Sequence, residues 1–448
     1  MTQMKFDIAR FFDKERIEQM ARDAGFVERK SPITGTAFLL ALTTGTMGTT
    51  DGTLAELALF LCTACGVDVK PQALDQRFTN AAAAFLEACL RQALATLRGG
   101  AHRIKAIAQF THVYAIDSTN FDLPPGLAAT FKGNGGDASK AAMRIQFVLD
   151  FCTGAMYLEV GDIRLSDPSA LASLISDRKV PMDGTCLFLS DLGYFKATTF
   201  ATICGMEGQF FLSKMHFGAK IYRPDGAEVN LEKKLKARPM RFTELISVGG
   251  ATCRLVGVRL DDETAGQRIR KANAASESKS GQISTAYRLF LHYAIFVTNL
   301  PAQYTMKQLY VLYRIRWQVE LVFKSWKSVL GIHKQRSKKE SRVRCEVYGK
   351  LIVATLAALM ECIVQVAFDG ICISRYKVAK VIKASANALT TAILAGNAFI
   401  LNALETIGNV IGKHGRKATQ RNKPTIEQRL EVVFGDKRKN GGRAVLYS

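Results

Sequence analysis

The first hundred residues repeat apolar side chains at the three- and four-residue spacing of helices. The clearest segments are Ile17–Ala24, Ala37–Leu42, Leu54–Leu61 and Ala73–Leu97. Because residues three and four apart share one face of a helix, each segment predicts a helix with one buried side. We therefore expect residues 1–105 to form a helical N-terminal region.

From His112 onward the pattern changes to short apolar runs of strand length. The runs are Val113–Asp117, Met143–Asp150, Ala155–Val160 and Cys186–Asp191, with a helix predicted at Pro168–Asp177. Short apolar runs bounded by turn residues predict strands, and those after the first should form an antiparallel hairpin. The first and last runs each end in an isolated acid, Asp117 and Asp191.

Residues 201–285 alternate further apolar runs with polar turns. Strands are predicted at Gln209–Leu212, Ala219–Tyr222, Glu228–Leu231, Arg241–Val248 and Ala251–Leu260. A polar stretch that we expect to be mobile follows, with the cations Arg268, Arg270, Lys271 and Lys279. This stretch is too long for a simple connection, so we interpret it as a β-rich insertion. The apolar run Phe290–Leu300 then predicts a strand.

A long helical pattern runs from Thr305 to Gly331. Thr305 and Gln308 have the spacing of a capping box, and Gly331 suits the left-handed residue that ends many helices. Apolar side chains occupy one face. The opposite face carries a stripe of Tyr313, Arg316, Glu320 and Lys327, flanked by Lys324 and Trp317. Taken alone, such a stripe is typical of an ordinary solvent-exposed face with Glu–Lys pairs.

Asp117, Asp191 and Glu320 are isolated acids, two from predicted strands and one from the predicted helix. Three such carboxylates are the minimum that holds paired Mg²⁺ ions for phosphoryl transfer. The spacing Y-x2-R-x3-E-x6-K around Glu320 resembles the Y-R-E-K signature of one branch of the DDE transposases of bacterial insertion sequences. The stretches DSTNFDLP at Asp117 and DLGYF at Asp191 are similar to motifs of the same family.

The resemblance implies an α/β fold with a ribonuclease-H-like catalytic core. In that core Asp117, Asp191 and Glu320 would be the catalytic acids and the ligands of two Mg²⁺ ions, with Mn²⁺ as an alternative. The best-known relatives also stack an extruded base on a tryptophan before the final strand. This chain has no tryptophan there, and Tyr293 is the aromatic candidate.

The resemblance also implies DNA contacts beside the acids. On the predicted helix, the residues expected to bind DNA are Tyr313, Arg316, Lys327, Lys324 and Trp317. Trp326 falls on the apolar face and is expected in the core.

The charge of the chain indicates a polyanionic partner. Lys and Arg number 61 against 39 Asp and Glu, which gives a formal charge of +22. Because these cations are spread along the chain, an extended phosphate-binding surface is favoured over a membrane-binding patch. We therefore expect nucleic acid as the partner and no membrane. The family resemblance implies that this partner is double-stranded DNA, both transposon ends and target DNA. The family resemblance implies a homodimer in the DNA complex.

The ten cysteines are scattered, as in proteins of a reducing cytosol. Cys62 and Cys65 form a lone CxxC pair, so a zinc site is not expected. The charged N-terminus does not resemble a signal peptide, and the apolar run Leu351–Met360 predicts a buried helix. The expected location is the bacterial cytoplasm, at the nucleoid when the protein is bound to DNA.

Two predicted helices in the N-terminal region, Leu54–Cys65 and Pro71–Phe78, are joined by a short turn at Gly66. They fit a helix-turn-helix, whose groove-facing residues would be Gln72, Gln76, Arg77 and Asn80. An ordinary helical hairpin explains the pattern equally well.

Five segments follow from these patterns. They are a DNA-binding helical region (1–105), a first part of the core (106–200), the insertion (201–285), a second part of the core (286–412) and a basic tail (413–448). The expected function is cut-and-paste transposition, in which inverted repeats are bound, cleaved and joined to target DNA. Two alternatives are a decayed transposase that acts as a repressor and a nuclease of the same fold that joins no strands.

Overall fold

The computed structural model describes residues 2–29, 31–48, 52–97, 104–135, 139–277, 281–368, 372–418 and 424–435. The N-terminal part is helical, as its apolar periodicity predicts. Its helices are α1 (Thr2–Phe11), α2 (Lys14–Asp23), α3 (Gly35–Leu40), α4 (Thr46–Gly48), α5 (Leu54–Cys65), α6 (Pro71–Gln76) and α7 (Asn80–Leu97). A π-helical turn at Ala41–Gly45 joins α3 to α4.

The described residues form one eight-stranded mixed sheet at the centre of the fold. Its strands are β1 (His112–Leu123), β2 (Ala141–Asp150), β3 (Met156–Gly161), β4 (Cys186–Ser190), β5 (Gln209–Lys214), β6 (Arg241–Val248), β7 (Ala251–Arg259) and β8 (Tyr293–Thr298). The order across the sheet is β3-β2-β1-β4-β5-β8-β7-β6. Strands β1, β4 and β5 are parallel, and the other neighbouring pairs are antiparallel. The α/β class is therefore confirmed.

Helices cover the two faces and the end of this sheet. They are α8 (Asp167–Ser176), α9 (Ala197–Cys204), α10 (Leu231–Lys236), α11 (Asp262–Glu277), α12 (Thr285–Leu291), α13 (Met306–Arg314), α14 (Trp317–Ser328), α15 (Glu340–Ala367), α16 (Arg375–Ala384), α17 (Ala386–Ala395), α18 (Asn397–His414) and α19 (Ile426–Phe434).

The stretch 201–285 does not fold apart from the sheet. Strand β5 pairs with β4, and the hairpin of β6 and β7 pairs through β7 with β8, so all three extend the central sheet. The strands predicted at Ala219–Tyr222 and Glu228–Leu231 are wrong. One bridge joins Tyr222 to Glu228 there, and α10 begins where the second strand was expected to end.

Two further predictions in this part of the chain are corrected. The cationic stretch predicted to be mobile is largely helical, since α11 contains Arg268, Arg270 and Lys271; Lys279 lies outside the described residues. The Asp261 side chain accepts the amide hydrogen of Thr264 and so caps the start of this helix. The strand predicted from Phe290 begins only at Tyr293, because α12 occupies the residues before it.

The two faces of the sheet are buried in separate cores. Successive strand residues point to opposite faces. Val113 and Ala115 of β1 therefore pack with α7, α14 and α15, whereas Tyr114 and Ile116 pack with α8 and α9. The first core also contains the apolar faces of the N-terminal helices. These helices and the sheet thus share one hydrophobic interior.

Helix α15 runs through the centre of the first core. Among the described single helices, it alone is long and apolar enough to cross a membrane, and 94% of its apolar window is buried inside the protein. The bent pair α16 and α17 would meet the same criterion only if both helices were one span. The prediction of a buried helix at Leu351–Met360 is confirmed.

Candidate active site

The sheet places Asp117 and Asp191 side by side. In the parallel pairing of β1 and β4, Ile116 lies opposite Ser190. The residues that follow these two are Asp117 and Asp191, so the two acids are neighbours. Asp191 directly follows β4, as predicted. Asp117 lies inside β1 rather than at its end, because alternating burial continues the strand to Leu123.

Glu320 reaches the two aspartates from the first turn of α14. The single helix predicted from Thr305 to Gly331 is wrong, since α13 ends at Arg314 and α14 begins at Trp317. Between them, the amides of Ile315 and Arg316 donate to carbonyls three residues back instead of four. The chain therefore makes one tight 3₁₀ step. The predicted start is confirmed by the capping box at Thr305. The helical part ends at Ser328, earlier than predicted, and the left-handed Gly331 lies in the turn that follows.

The 3₁₀ step between α13 and α14 changes which residues of the predicted stripe are exposed to solvent. Tyr313 and Arg316 were predicted on an exposed face, but only 7% of each residue is exposed. Trp317 is instead 56% exposed, at the edge of the site, and Trp326 is buried, as its place on the apolar face predicts. The stripe is therefore not an ordinary solvated face.

Arg316 connects the three acids. Its Nη1 lies 2.6 Å from Asp117 Oδ2, and its Nη2 lies 2.8 Å from Glu320 Oε1 and 3.9 Å from Asp191 Oδ2. Acids from two strands and one helix thus converge on a single guanidinium group. The sequence motifs alone predict the acids but not this contact.

The pKa values of the two aspartates are shifted in opposite directions. Burial raises the pKa of Asp117, and the nearby Arg316 charge offsets only part of that effect. Burial acts in the same direction on Asp191, but Arg316, the Leu192 amide and Lys214 together outweigh it and hold its pKa below the usual value. The Tyr313 hydroxyl also contributes, since it donates to Asp191 Oδ1 at 3.1 Å.

Lys214 is a residue of the site that the sequence reasoning missed. It ends β5, and its Nζ lies 5.4 Å from the centre of the Tyr313 ring. Burial lowers the pKa of its ammonium group, although the Asp191 charge opposes that effect. A lone lysine at the end of the apolar run QFFLSK is the signal that was available.

A polar network supports the backbone next to the two aspartates from the other face of the sheet. Asp167 Oδ1 accepts hydrogen bonds from Ser118 Oγ at 2.9 Å and Gln146 Nε2 at 2.8 Å, and it pairs with Arg144 at 2.9 Å. Gln146 in turn accepts a bond from the Tyr194 hydroxyl at 2.6 Å. The network therefore holds the residue after Asp117 and the turn after Asp191. Ser118 and Tyr194 lie in the family-like stretches DSTNFDLP and DLGYF, whereas Arg144, Gln146 and Asp167 gave no recognisable signal in the sequence.

A cavity of 440 Å³ adjoins the acids on the side of Arg316. Residues that line it include Lys214, Arg268, Tyr293, Tyr313, Arg316 and Trp317. Tyr293 reaches this cavity, but it is only 1% exposed, so little of its ring is open for stacking.

The remaining residues predicted to bind DNA lie in different settings. Lys327 donates to the Asn120 carbonyl of β1 at 3.2 Å, beside the acids. Lys324 is exposed and lines a different cavity, with Gln318 and Arg375.

The N-terminal candidates separate as well. Gln76 is exposed at the last position of α6, which ends two residues before the predicted end at Phe78. Arg77 uses its guanidinium inside the protein, because Nη2 donates to the Phe26 carbonyl at 2.9 Å and the group lies over the Phe26 ring. That finding contradicts a groove-facing position for Arg77.

The donor set of the three acids suits Mg²⁺, which prefers carboxylate oxygens. In the described ranges, however, no three side chains of the metal-binding types are grouped closely enough to share an ion as they stand. Arg316 lies among the carboxylates instead. Its guanidinium supplies the positive charge that offsets their negative charge.

Comparison with known proteins identifies the family of this chain. The family model of the transposase DDE domain matches residues 108–356, more than half of the chain. The transposase for insertion sequence element IS231C of Bacillus thuringiensis subsp. berliner is 27% identical over 462 residues, which cover 96% of this chain and 95% of the relative. The transposase for insertion sequence element IS1151 of Clostridium perfringens is 26% identical over 373 residues, which cover 78% of each. This chain belongs to the DDE transposases of insertion sequences and is an enzyme that acts on DNA.

Proposed function

We propose that this enzyme binds the terminal inverted repeats of its insertion sequence, cleaves the DNA at those ends and joins them to a target. The observation that carries the proposal is the convergence of Asp117, Asp191 and Glu320 on one cation. Two strands and a helix from distant parts of the sequence bring these acids together, beside a cavity lined with arginine and aromatic side chains.

Strands β1 to β5 are the proposed ribonuclease-H-like core. Their order, β3-β2-β1-β4-β5, with β2 antiparallel to β1 and with β4 and β5 parallel to it, supports this assignment. In the proposal, α14 supplies the last acid. The hairpin of β6 and β7 then widens the sheet beyond β8 and is the insertion of the core.

The three carboxylates would hold two Mg²⁺ ions, or Mn²⁺ in their place. Asp117 is the ligand that would serve both ions, and it pairs with the same Arg316 guanidinium as the other two acids. When bound, the ions activate the attacking hydroxyl and stabilise the leaving oxygen of an in-line displacement. Asp191 and Glu320 would each hold one ion.

The surrounding cations and rings would position the DNA end. Lys214 and Arg316 flank the acids on the cavity side, and Lys327 flanks them beside β1. Arginine can hold a phosphate through two hydrogen bonds, whereas lysine supplies a point charge. Exposed Trp317 at the cavity offers a face on which a base can stack.

The N-terminal helices are the proposed site of end recognition. Gln76, exposed at the end of α6, is the candidate for reading a base, whereas Arg77 is committed to internal contacts. The formal charge of +22 supports an extended DNA surface that serves both the ends and the target. We further propose a homodimer in the DNA complex and a cytoplasmic location at the nucleoid.

The test is substitution of each acid by its amide. Asp117→Asn, Asp191→Asn and Glu320→Gln should each abolish Mg²⁺-dependent cleavage of a labelled duplex that carries the terminal repeat, while binding to that duplex survives. Glu207→Gln, an exposed acid after α9, is the matched control and should cleave normally. A triad variant that cleaves at a near-normal rate would remove that acid from the proposed site.

The same reactions separate the alternatives. A repressor would bind the duplex without cleaving it under any metal condition. A nuclease without joining activity would release ends but never insert them into a target plasmid.

A further inference from the structure

Arg316 carries a second role that its place in the site reveals. Its side chain is only 8% exposed, yet it forms ion pairs with acids from β1, from the end of β4 and from α14. In the described part of the chain, these are the ion pairs that the three acids make. The guanidinium is therefore the internal counter-ion of the whole acidic cluster.

This position overlaps with the one that metal ions need. Mg²⁺ binds carboxylate oxygens at about 2.0–2.1 Å. Asp117 Oδ2 and Glu320 Oε1 already hold Arg316 nitrogens at 2.6 and 2.8 Å. Nη1 contacts the first oxygen and Nη2 the second, so the guanidinium group as a whole fills the space between the two carboxylates. An ion shared by these two oxygens would need that space, and Arg316 must leave before the ion can bind there.

A second position for the Arg316 side chain is available in the adjacent cavity. Its Nε is buried and has no hydrogen-bond partner, which is costly for a charged donor. The side chain also lines the 440 Å³ cavity, together with Lys214, Arg268 and Trp317. A phosphate group in that cavity would accept from Nε and from one Nη, and so would satisfy the donor that the acids leave free.

We propose that Arg316 blocks the metal site in the DNA-free enzyme and leaves it to bind a phosphate of the DNA end, so that DNA and metal ions bind cooperatively. The inference rests on the proposed function, since it takes the three acids as metal ligands. The coupling is reciprocal, because any factor by which DNA strengthens metal binding is the factor by which metal strengthens DNA binding. Free enzyme would then carry little metal and cut little DNA outside its own ends.

Metal affinity of the full-length protein, measured without any cleavage, tests this directly. Mn²⁺ is titrated into the protein, and the free ion is followed by electron paramagnetic resonance. For the unsubstituted protein, adding a duplex that carries the terminal repeat should raise Mn²⁺ affinity by about 5- to 150-fold, the usual range of such coupling. Arg316→Ala should bind Mn²⁺ with comparably raised affinity in the absence of DNA, and the duplex should then add little.

Lys214→Met is the matched control. It also removes one buried positive charge beside Asp191, but Lys214 forms no ion pair with the acids within 4.0 Å in the described residues. It should therefore raise Mn²⁺ affinity much less than Arg316→Ala. Equal gains in the two variants would attribute the effect to charge alone and overturn the blocking role. Arg316→Gln, which keeps hydrogen-bonding capacity without charge, serves if the alanine variant does not fold.

The outcomes also separate this inference from the proposed function. If Asp117→Asn abolishes Mn²⁺ binding but neither DNA nor Arg316→Ala strengthens it, the metal site stands and the coupling is overturned. If no form of the protein binds Mn²⁺, with or without DNA, both proposals fail.

Discussion

Single side chains set the charge balance at two points along β1. Near its middle, Asp117 depends on Arg316 for its counter-charge. At its first residue, His112 forms a hydrogen bond of 2.8 Å between its Nδ1 and Asp150 Oδ2. The Asp150 carboxyl group has no exposed surface. Asp183 lies 3.5 Å from the other ring nitrogen. The strand that carries the first acid is thus tied to β2 by a buried hydrogen bond between the His112 and Asp150 side chains.

His112 should make stability depend on pH in a defined direction. Its bond to Asp150 raises the pKa of the ring, although burial opposes that effect. A raised pKa means that the protonated ring stabilises the folded state below about pH 6.5, the unfolded value, and that this contribution is lost as pH rises through the folded pKa. His112→Gln should therefore lower Tm most in acid and progressively less at higher pH.

The measurement is Tm against pH for the unsubstituted protein and the variant. His216→Gln, which changes an exposed ring, is the control for loss of a histidine elsewhere in the chain. A gap between His112→Gln and the unsubstituted protein that stays constant from acid to alkaline pH contradicts the assignment.

At the residue scale, the acids could be predicted because each is an isolated charge at a distinctive place in an apolar pattern. The contacts of Arg316 could not, since a helical projection shows which side a residue takes but not what faces it. The place of Lys214 in the site could not be predicted either, because only the pairing of β5 with β4 brings it to Asp191.

The elements around the site are joined mainly by polar groups behind the sheet. Asp167, the first residue of α8, binds Ser118 of β1 and both Gln146 and Arg144 of β2. A Cβ atom on Gly193 would lie 3.1 Å from its other oxygen, so the turn after Asp191 packs closely on the same carboxylate. One side chain thus connects β1, β2 and the turn after β4.

Asp167→Asn should therefore weaken catalysis without removing a catalytic group. The amide keeps the shape but loses the charge that holds Arg144, which should cost about 1.5–3 kcal/mol of stability. We expect slower end cleavage with DNA affinity unchanged, measured on a labelled duplex alongside chemical denaturation. Asp177→Asn, at the exposed far end of α8, should change neither quantity. Normal cleavage by a destabilised Asp167→Asn would show that the network supports only the fold.

Helix packing makes one glycine indispensable. A Cβ on Gly349 of α15 would lie 2.2 Å from the Leu42 carbonyl oxygen in the π-helical turn. Alanine in a helix is normally better than glycine by roughly 0.5–1 kcal/mol. Here overpacking should reverse the sign, and Gly349→Ala should destabilise the protein by about 1–3 kcal/mol.

Gly408→Ala in α18 is the matched comparison. A Cβ there would meet Met360 and Val364 at 3.8 Å, an ordinary contact distance, so that variant should be neutral or more stable. Denaturant unfolding of both variants decides the point, and equal free energies of unfolding would contradict the close approach at Leu42.

The existence of most elements could be predicted from periodicity, but their ends and breaks could not. The step between α13 and α14 contains neither Pro nor Gly, so the local sequence gives no signal of a break in the helix. The tight turn accompanies tertiary contacts, in which Tyr313 reaches Asp191 and Arg316 reaches Asp117. Likewise, the mobile segment expected near Arg268 forms a helix that packs on α12.

The whole molecule carries its charge as a distributed surface. With a formal charge of +22, binding to DNA should release many counter-ions, and log affinity should fall linearly and steeply with log salt concentration. Lys324→Ala, which removes one exposed cation of α14, should reduce the slope by about one. Fluorescence anisotropy at several salt concentrations gives both slopes. Affinity that barely changes with salt would assign the basic surface to another purpose.

The packing of α7 along α15 has a consequence for the order in which the chain is made. Helix α7 ends at Leu97, but α15, which covers its apolar face, starts only at Glu340. At about 5–20 residues per second, the ribosome needs on the order of tens of seconds to deliver the intervening chain. Throughout that interval the first helices are without their main partner. Nascent chains that stop short of α15 should therefore depend on chaperones or be degraded, and enzyme competent for catalysis should emerge only late in synthesis.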